Sequence, residues 1–350
     1  MAEINFNKTH SLYQEDLKRV LNTPGIERIK GKKFLITGAT GLIGVCLIDA
    51  LMAYNKDGAN IEIFAIGRNK ERASGRLGVY YDNELFHFIE QDVRLPLQVP
   101  QIVDYIIPLA SNTHPLAYSQ YPIETIEINV KGAEYALQKA KQCGAIVLYT
   151  SSVEIYGNAK GKDVFTEDYT GYLNLSNSRS CYTESKRVCE ALCQSYISEM
   201  GINVKIARLS RVFGPTMQMT DSKASSQFIK KAISDEDIVL KSKGEQYFSY
   251  TYVADAVSAL ITILLDGETG VPYNVSSEKT NVQLKEFAKI CAEYNGKNVT
   301  FDLPSETEKL GYSVALYAIL SNERVKSICF EPVYEIKDAI FRTASIIKDV

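Results

Sequence analysis

The chain has 350 residues, 45% of them hydrophobic and 23% charged, a balance typical of a folded globular enzyme rather than of a disordered or fibrous protein. Its net charge of −3, with no basic block, argues against nucleic-acid partners, because neutralising phosphates needs a concentrated positive surface. The seven cysteines are scattered, which indicates reduced thiols, and no histidine lies at metal-ligand spacing from them, so we expect no bound metal.

Two stretches of the chain bear on where the protein works. The first ten residues lack a basic start followed by an apolar run, so the sequence predicts no secretory signal. The longest apolar stretch, 256–265, has about half the length that a membrane span requires. We therefore expect a cytoplasmic protein with no membrane partner.

The first predicted unit, residues 1–30, is a helical extension. Tyr13, Leu17, Val20 and Leu21 follow helical spacing, and a polar break at 23–25 ends the pattern. We interpret this helix as an extension for packing or dimer formation that carries no chemistry.

From residue 32 the pattern alternates between short apolar runs and helical segments. Strand-like runs lie at 34–36, 61–66, 86–89, 105–109, 145–149 and 204–209, and helical patterns such as 125–143 and 182–200 separate them. This alternation predicts an α/β fold over residues 31–215, a Rossmann-type doubly wound parallel sheet with helices on both faces.

Beyond residue 215 the pattern is less regular. A polar loop at 218–226 precedes a helix, a short strand pair within 238–252 and an apolar core helix at 256–265. We predict that residues 216–350 form a smaller mixed α/β substrate-binding lobe, interleaved with the first unit. Because ligands bind at the carboxyl ends of parallel strands, this lobe would supply the second wall of a pocket.

A glycine-rich loop joins the first strand to the first helix of the alternating region. Glycines let the backbone turn tightly and approach a pyrophosphate, whose charge then lies at the helix N-terminus. The context of strand, loop and helix therefore predicts dinucleotide binding. The predicted contacts in this loop are Gly38, Thr40, Gly41, Leu42, Ile43 and Gly44.

The second strand ends without the acidic residue that would hold the ribose 2′-hydroxyl of NAD. It reads Gly67-Arg68, and an arginine can pair with a 2′-phosphate, so the sequence favours NADP over NAD without excluding NAD. In the alternative interpretation Arg68 points into solvent. Asp92 and Val93, after the third strand, are placed to contact the adenine.

Tyr182 and Lys186 lie one turn apart at the start of a helical pattern, so both can point at a cofactor. A nearby ammonium is expected to lower the phenol pKa and let the tyrosine act as an acid or base in hydride chemistry. Thr150 and Ser152 end the fifth strand, where a hydroxyl can hydrogen-bond the same substrate oxygen.

Taken together with Asn129 and the Phe-Gly-Pro at 213–215, these motifs resemble the extended short-chain dehydrogenase/reductases of the NAD-dependent epimerase/dehydratase family. The segments 109–129 and 179–187 are most similar to those of UDP-glucuronate decarboxylases. In that group the sugar is oxidised at C4, the keto acid loses carbon dioxide, and the hydride is returned. The resemblance also implies a homodimer.

The resemblance implies roles for individual residues. Tyr182 would be the base, Lys186 would tune it and hold the nicotinamide ribose, Ser152 would orient the C4 oxygen, and Glu154 would face the sugar ring. The further cofactor contacts are Leu109, Ala110, Ser111, Asn129, Thr150, Leu209 and Val212, and the candidate substrate contacts are Tyr118, Arg211, Gln227 and Phe248.

Departures from the family pattern leave the net reaction open. Val153-Glu154 replaces an Asp-Glu pair, which disfavours 4,6-dehydration, and Phe248 replaces an arginine that binds the substrate diphosphate. Arg211 replaces an asparagine and can restore that charge from another direction, and the stretch 313–318 lacks the cation expected for a glucuronate carboxylate.

The sequence therefore predicts a nucleotide-sugar-modifying enzyme that resembles UDP-glucuronate decarboxylases. A 4-epimerase or a 4-ketoreductase remains an alternative, and a 4,6-dehydratase is less favoured. The intact Ser152, Tyr182 and Lys186 argue most strongly against a non-catalytic dinucleotide-binding regulator.

Overall fold

A computed structural model describes residues 6–100, 102–113, 115–302 and 316–349 of the chain, with the backbone alone for 115 and 116. Its centre is a parallel seven-stranded sheet in the order β11-β7-β5-β4-β1-β2-β3. The strands are β1 (Lys33–Thr37), β2 (Glu62–Gly67), β3 (Phe86–Glu90), β4 (Tyr105–Pro108), β5 (Ile146–Ser152), β7 (Val204–Leu209) and β11 (Pro272–Val275). The predicted doubly wound parallel sheet is confirmed, and the strand order reverses between β1 and β4.

Helices cover both faces of this sheet. They are α2 (Leu42–Lys56), α3 (Lys70–Leu77), α4 (Pro115–Gln120), α5 (Pro122–Cys143), α6 (Ser180–Met200) and α8 (Val253–Asp266). Side chains alternate across a strand, so Ile63 and Ala65 of β2 join the core beneath α2 and α8, while Phe64 and Ile66 join the core beneath α5 and α6. The predicted core helix at 256–265 is confirmed, because α8 is buried along almost its whole length.

A smaller lobe follows, built on a second sheet in the order β12-β10-β14-β6. Its strands are β6 (Val164–Phe165), β8 (Arg211–Phe213), β9 (Ile238–Leu240), β10 (Tyr247–Tyr252), β12 (Asn281–Gln283), β13 (Val299–Phe301) and β14 (Tyr317–Leu320). Its helices are α7 (Ala224–Ile233), α9 (Leu284–Glu293), α10 (Glu323–Lys326) and α11 (Ile336–Lys348).

The prediction of a strand pair within 238–252 is wrong. β9 pairs with β13, whereas β10 pairs with β8, β12 and β14 in the other sheet. The two strands are neighbours in sequence, but their partners come from segments more than about 30 residues away, which local pattern does not reveal.

The chain passes between the two sheets on both sides of residue 215. β6 lies before that residue yet belongs to the second sheet, and β11 lies after it yet pairs with β7 in the first. The division at 215/216 therefore stays a prediction about folding units, and this exchange of strands places the smaller lobe beside the carboxyl ends of the large sheet.

The predicted N-terminal helix is confirmed as α1 (Ser11–Leu21), which packs on α2 and α8. Its Asp16 is fully buried and accepts hydrogen bonds from the hydroxyls of Tyr252 (2.5 Å) and Tyr334 (2.7 Å) and from Arg342 Nη2 (2.8 Å). The Asp16 carboxylate thus helps to join the extension to the smaller lobe. Within the described ranges, no helix is long and apolar enough to cross a lipid bilayer.

Candidate active site

The glycine loop leaves β1 and meets the end of β4. Gly38 has a φ of +65°, and a Cβ atom there would lie 2.6 Å from the backbone nitrogen of Ala110. A Cβ on Gly44 would lie 2.6 Å from the carbonyl oxygen of Gly38. Gly41 caps the fifteen-residue α2 without a side-chain hydrogen bond, so the first N–H groups of this helix face the loop. This tight, uncapped turn fits a dinucleotide pyrophosphate.

The other predicted cofactor contacts lie at the same edge of the sheet, because they follow the carboxyl ends of parallel strands. Leu109, Ala110 and Ser111 follow β4, Thr150 lies near the end of β5, Leu209 ends β7, and Val212 follows in β8.

Asn129 fixes this edge through its side chain. Its Oδ1 accepts a hydrogen bond from Ser111 Oγ (2.6 Å), and its Nδ2 donates to Ser185 Oγ (2.8 Å). The amide thus joins the end of β4 to α6 and is largely buried. Asn129 therefore positions the strand end, and its direct contact with a cofactor stays a prediction.

Charged side chains cluster after β2 and β3, where such folds bind the adenosine end of a dinucleotide. Arg68, directly after β2, forms an ion pair with Glu124 of α5 at 2.5 Å. Asp92 receives hydrogen bonds from Arg94 (2.6 Å), which hold the pKa of the Asp92 carboxyl below its usual value. Val93 is buried beside Gly132 of α5.

The Lys186 side chain is buried against the carboxyl end of β5. Its Nζ donates a hydrogen bond to the carbonyl oxygen of Thr150 at 2.8 Å and lies 5.1 Å from the ring centre of Tyr149. Thr150 Oγ1 in turn donates to the carbonyl oxygen of Pro108 at 2.9 Å. Burial lowers the pKa of Lys186 from its ordinary value.

The phenol of Tyr182 does not have the lowered pKa expected from its spacing to Lys186. Burial raises the Tyr182 pKa, a hydrogen bond with Ser152 lowers it, and the charge of Glu154 raises it further. The expectation is wrong for this structure because desolvation of the phenolate outweighs the favourable contacts, while the Lys186 ammonium bonds the Thr150 carbonyl.

An aromatic and cationic stack extends from Tyr182 towards the smaller lobe. The ring of Tyr118 stacks on that of Tyr182 with centres 5.6 Å apart, and the Arg179 guanidinium lies 5.5 Å from the Tyr118 ring centre. Burial raises the pKa of Tyr118, and the charges of Arg179 and Arg211 oppose that rise, so that the net pKa is about 12. Arg179 was not among the predicted site residues, although its place three residues before Tyr182, at the start of α6, is a usable signal.

Arg211 lies on the face of Phe248. The guanidinium carbon is 3.7 Å from the Phe248 ring centre, and Nη2 lies 3.4 Å from Glu154 Oε1. Nη1 is buried and has no hydrogen-bond partner in the described part of the chain. The two side chains come from paired strands, since Arg211 of β8 is level with Tyr250 of β10, two residues from Phe248. Phe248 is therefore a support for a cation, buried beneath it.

Two other predictions have different outcomes. Gln227 is exposed on α7, and its amide nitrogen donates to the carbonyl oxygen of Asp221 at 2.9 Å, so no described contact joins it to Arg211 or Tyr182. Of the predicted cation-free stretch 313–318, residues 313–315 lie outside the described residues, and the Tyr317 ring packs at a tilt against that of Tyr247.

Comparison with known proteins places this geometry in context. Residues 34–276 match the model of the NAD dependent epimerase/dehydratase family. UDP-glucuronic acid decarboxylase 1 of Xenopus tropicalis is 32% identical over 277 residues, which are 79% of this chain and 63% of that protein. UDP-glucuronic acid decarboxylase 6 of Arabidopsis thaliana is 36% identical over 259 residues, 73% of each chain. The chain thus spans less than two thirds of the Xenopus relative.

Solved structures share the fold at lower identity. The UDP-glucuronic acid 4-epimerase of Bacillus cereus, in complex with UDP-glucuronic acid and NAD, has a TM-score of 0.76 at 20% identity, covering 91% of this chain and 99% of that one. The dTDP-glucose 4,6-dehydratase of Streptomyces venezuelae, with NAD bound, has a TM-score of 0.77 at 20% identity, covering 91% and 97%.

Proposed function

Because the chain belongs to the NAD-dependent epimerase/dehydratase family, we propose that it oxidises a nucleotide sugar transiently at C4 and that its net reaction is the decarboxylation of UDP-glucuronate. The observation that carries the choice of a uronate is the Arg211 guanidinium, supported on Phe248 beside Glu154, with one buried nitrogen that has no partner in the described residues. Because the Arg211 guanidinium is only partly exposed and one of its nitrogens has no partner in the described residues, it can bind a substrate carboxylate in addition to Glu154.

Tyr182 is the proposed proton acceptor for the sugar 4-hydroxyl. The Ser152 hydroxyl is near enough to the buried Tyr182 phenol to lower its pKa, so both can contact one substrate oxygen. Ser152 also accepts a hydrogen bond from the backbone N–H of Glu154 at 3.3 Å, which fixes the turn that follows β5. The same phenol can return the proton once the 4-hydroxyl is restored.

Lys186 is proposed to hold the nicotinamide ribose next to Tyr182. Its bond to the Thr150 carbonyl keeps the ammonium at the sheet edge, and burial favours exchange of its proton. The glycine loop would hold the pyrophosphate, with Leu109, Ala110, Leu209 and Val212 lining the cofactor. When bound, the nicotinamide would supply the capacity to accept and return the C4 hydride.

Arg211 is proposed to bind the sugar carboxylate rather than the diphosphate. Glu154 is two residues from Ser152 in the same turn, so a cation paired with Glu154 lies on the C4 side of the sugar. The carboxyl carbon of a glucuronate is bonded to C5, the neighbour of C4, whereas the diphosphate is attached to C1 across the ring. An arginine is well suited to a carboxylate because its two N–H groups can bind both oxygens.

Epimerisation of the same uronate at C4 is the second candidate function. Arg211 would hold the carboxylate during rotation of the keto sugar as well as during loss of carbon dioxide. The buried Val153, where dehydratases by resemblance carry an acid, favours both of these reactions over dehydration.

We propose NAD as the cofactor, although Arg68 by itself favoured NADP, because Glu124 neutralises that arginine. A homodimer through α5 and α6 is also proposed, since both helices carry exposed apolar side chains such as Ile123 and Val188. The cytoplasmic location stays a prediction from the sequence.

The test is incubation of the purified full chain with UDP-glucuronate and NAD, followed by mass spectrometry of the nucleotide sugars. The expected product is a UDP-pentose, lighter than the substrate by one carbon dioxide, with no net consumption of NAD. An isobaric product with a shifted retention time would establish epimerisation instead. Absence of both products, with cofactor binding intact, would overturn the proposal.

A further inference from the structure

We propose that Glu124 of α5 determines the choice between NAD and NADP, by supplying the carboxylate that β2 lacks and by neutralising Arg68. This inference rests on the proposed function only in that the glycine loop binds a nicotinamide dinucleotide. β2 ends at Gly67, where an acidic side chain ordinarily holds the ribose 2′-hydroxyl, and Arg68 follows it.

The carboxylate reaches this corner from a different element. Glu124 lies in the first turn of α5, where the helix dipole favours a negative charge. Its Oε1 is 2.5 Å from Arg68 Nη1, and the two side chains are 30% and 47% exposed. The ion pair therefore brings a carboxylate from α5 to the end of β2, and the partly exposed pair remains accessible to a bound ribose.

The neighbouring cations are compensated as well. Arg94 pairs with Asp92 (2.6 Å) and with Glu127 (3.4 Å). Lys131 pairs with Glu127 at 3.0 Å. With the Arg68–Glu124 pair, Arg68, Arg94 and Lys131 are thus each paired with a carboxylate.

A 2′-phosphate would meet unfavourable electrostatics at such a corner. A phosphate monoester carries roughly −1.5 to −2 charges at neutral pH, so it is repelled by the Glu124 carboxylate and competes with it for Arg68. A 2′-hydroxyl can instead donate a hydrogen bond to a carboxylate. The geometry thus favours NAD, and it makes Glu124 rather than Arg68 the residue that determines which of the two dinucleotides is bound.

The experiment measures the dissociation constants of NADH and NADPH by nicotinamide fluorescence titration, without any sugar. Glu124→Gln removes the charge and keeps the shape of the side chain. We expect weaker NADH binding, tighter NADPH binding and a shift of the affinity ratio towards NADPH of about tenfold, since a partly exposed ion pair is worth up to about fivefold in each direction.

Two further variants isolate the mechanism. Glu134→Gln is the matched control on the same helix, outside the ion pairs of this corner, and we expect it to change the ratio less than about twofold. Arg68→Met combined with Glu124→Gln should abolish the gain in NADPH affinity, because the freed arginine is its source.

An unchanged affinity ratio in Glu124→Gln, or a wild-type protein that already binds NADPH tighter than NADH, would overturn the inference. Failure of the wild-type protein to bind either NADH or NADPH would overturn the inference too. Because the titration contains no nucleotide sugar, cofactor discrimination with no turnover of UDP-glucuronate would count against the proposed function alone.

Discussion

The proposed cofactor end and the proposed sugar end of the site are built in different ways. At the cofactor end, Gly38 and Gly44 are placed by one short loop, and the requirement is for backbone space. At the sugar end, Arg211, Phe248 and Glu154 come from three separate elements, and the requirement is for charge and ring contact between side chains. A site that depends on backbone space tolerates few substitutions without disturbing the fold. A site built from side-chain contacts can have its residues replaced one at a time.

The Arg211–Phe248 contact shows such an exchange. By resemblance, an arginine is expected at position 248 and an asparagine at 211. Here the aromatic ring is at 248 and the guanidinium, on the adjacent parallel strand, lies 3.7 Å from its centre. The positive charge has moved from one strand to its neighbour and approaches the pocket from a different direction.

The largest effect is expected where the two ends meet, at Tyr182. Replacement by phenylalanine removes the proton acceptor and keeps the stacking on Tyr118, so kcat should fall by roughly 10²–10⁴-fold while NADH affinity changes little. Tyr196→Phe, on the same helix, is the control and should retain activity. Substantial turnover by the Tyr182 variant would show that another group transfers the proton.

A smaller effect is expected from Gly38→Ala at the cofactor end. The alanine would have to keep the left-handed backbone of Gly38, and its Cβ would lie 2.6 Å from the Ala110 nitrogen. The free energy of unfolding should therefore fall by about 2–4 kcal/mol, and NADH binding should weaken. Gly58→Ala has the same backbone strain without a contact within 4 Å, and its loss in urea unfolding should be about 1–2 kcal/mol. Equal losses in the two variants would contradict the backbone-space argument.

At the sugar end, Arg211→Gln should weaken the binding of UDP-glucuronate more than the binding of its neutral analogue, UDP-glucose. Loss of a charge-assisted hydrogen bond of about 1.5–3 kcal/mol predicts a rise in KM for UDP-glucuronate of roughly 10–150-fold. Inhibition by UDP-glucose should change little, and Arg211→Lys should recover part of the loss. An equal loss for both ligands would assign Arg211 to the diphosphate instead.

The smallest effect is a displacement of the pH profile by Ser152→Ala. Burial raises the Tyr182 pKa and the Ser152 hydrogen bond lowers it, so removing that bond should raise the pKa further. Because the phenolate is the proposed base, the rising limb of kcat/KM should move to higher pH, and activity at pH 7 should fall. Ser151→Ala, the adjacent buried hydroxyl, should leave the profile in place.

Local signals were sufficient for the parts of the molecule that depend on short segments. Each apolar run and helical segment, the glycine loop and the Tyr182–Lys186 spacing lie within about twenty residues. The sheet, the loop and the shared helix face were predicted from them. The sequence alone thus determined the fold class and the place of the glycine loop between β1 and α2.

Tertiary structure decided the features that depend on contacts between distant segments. The pairing of β9 with β13, the burial that raises the Tyr182 pKa, the support of Arg211 by Phe248 and the neutralisation of Arg68 by Glu124 all join residues far apart in the chain. Desolvation and ion pairing are set by which groups surround a side chain in space, and neither spacing nor composition encodes those neighbours.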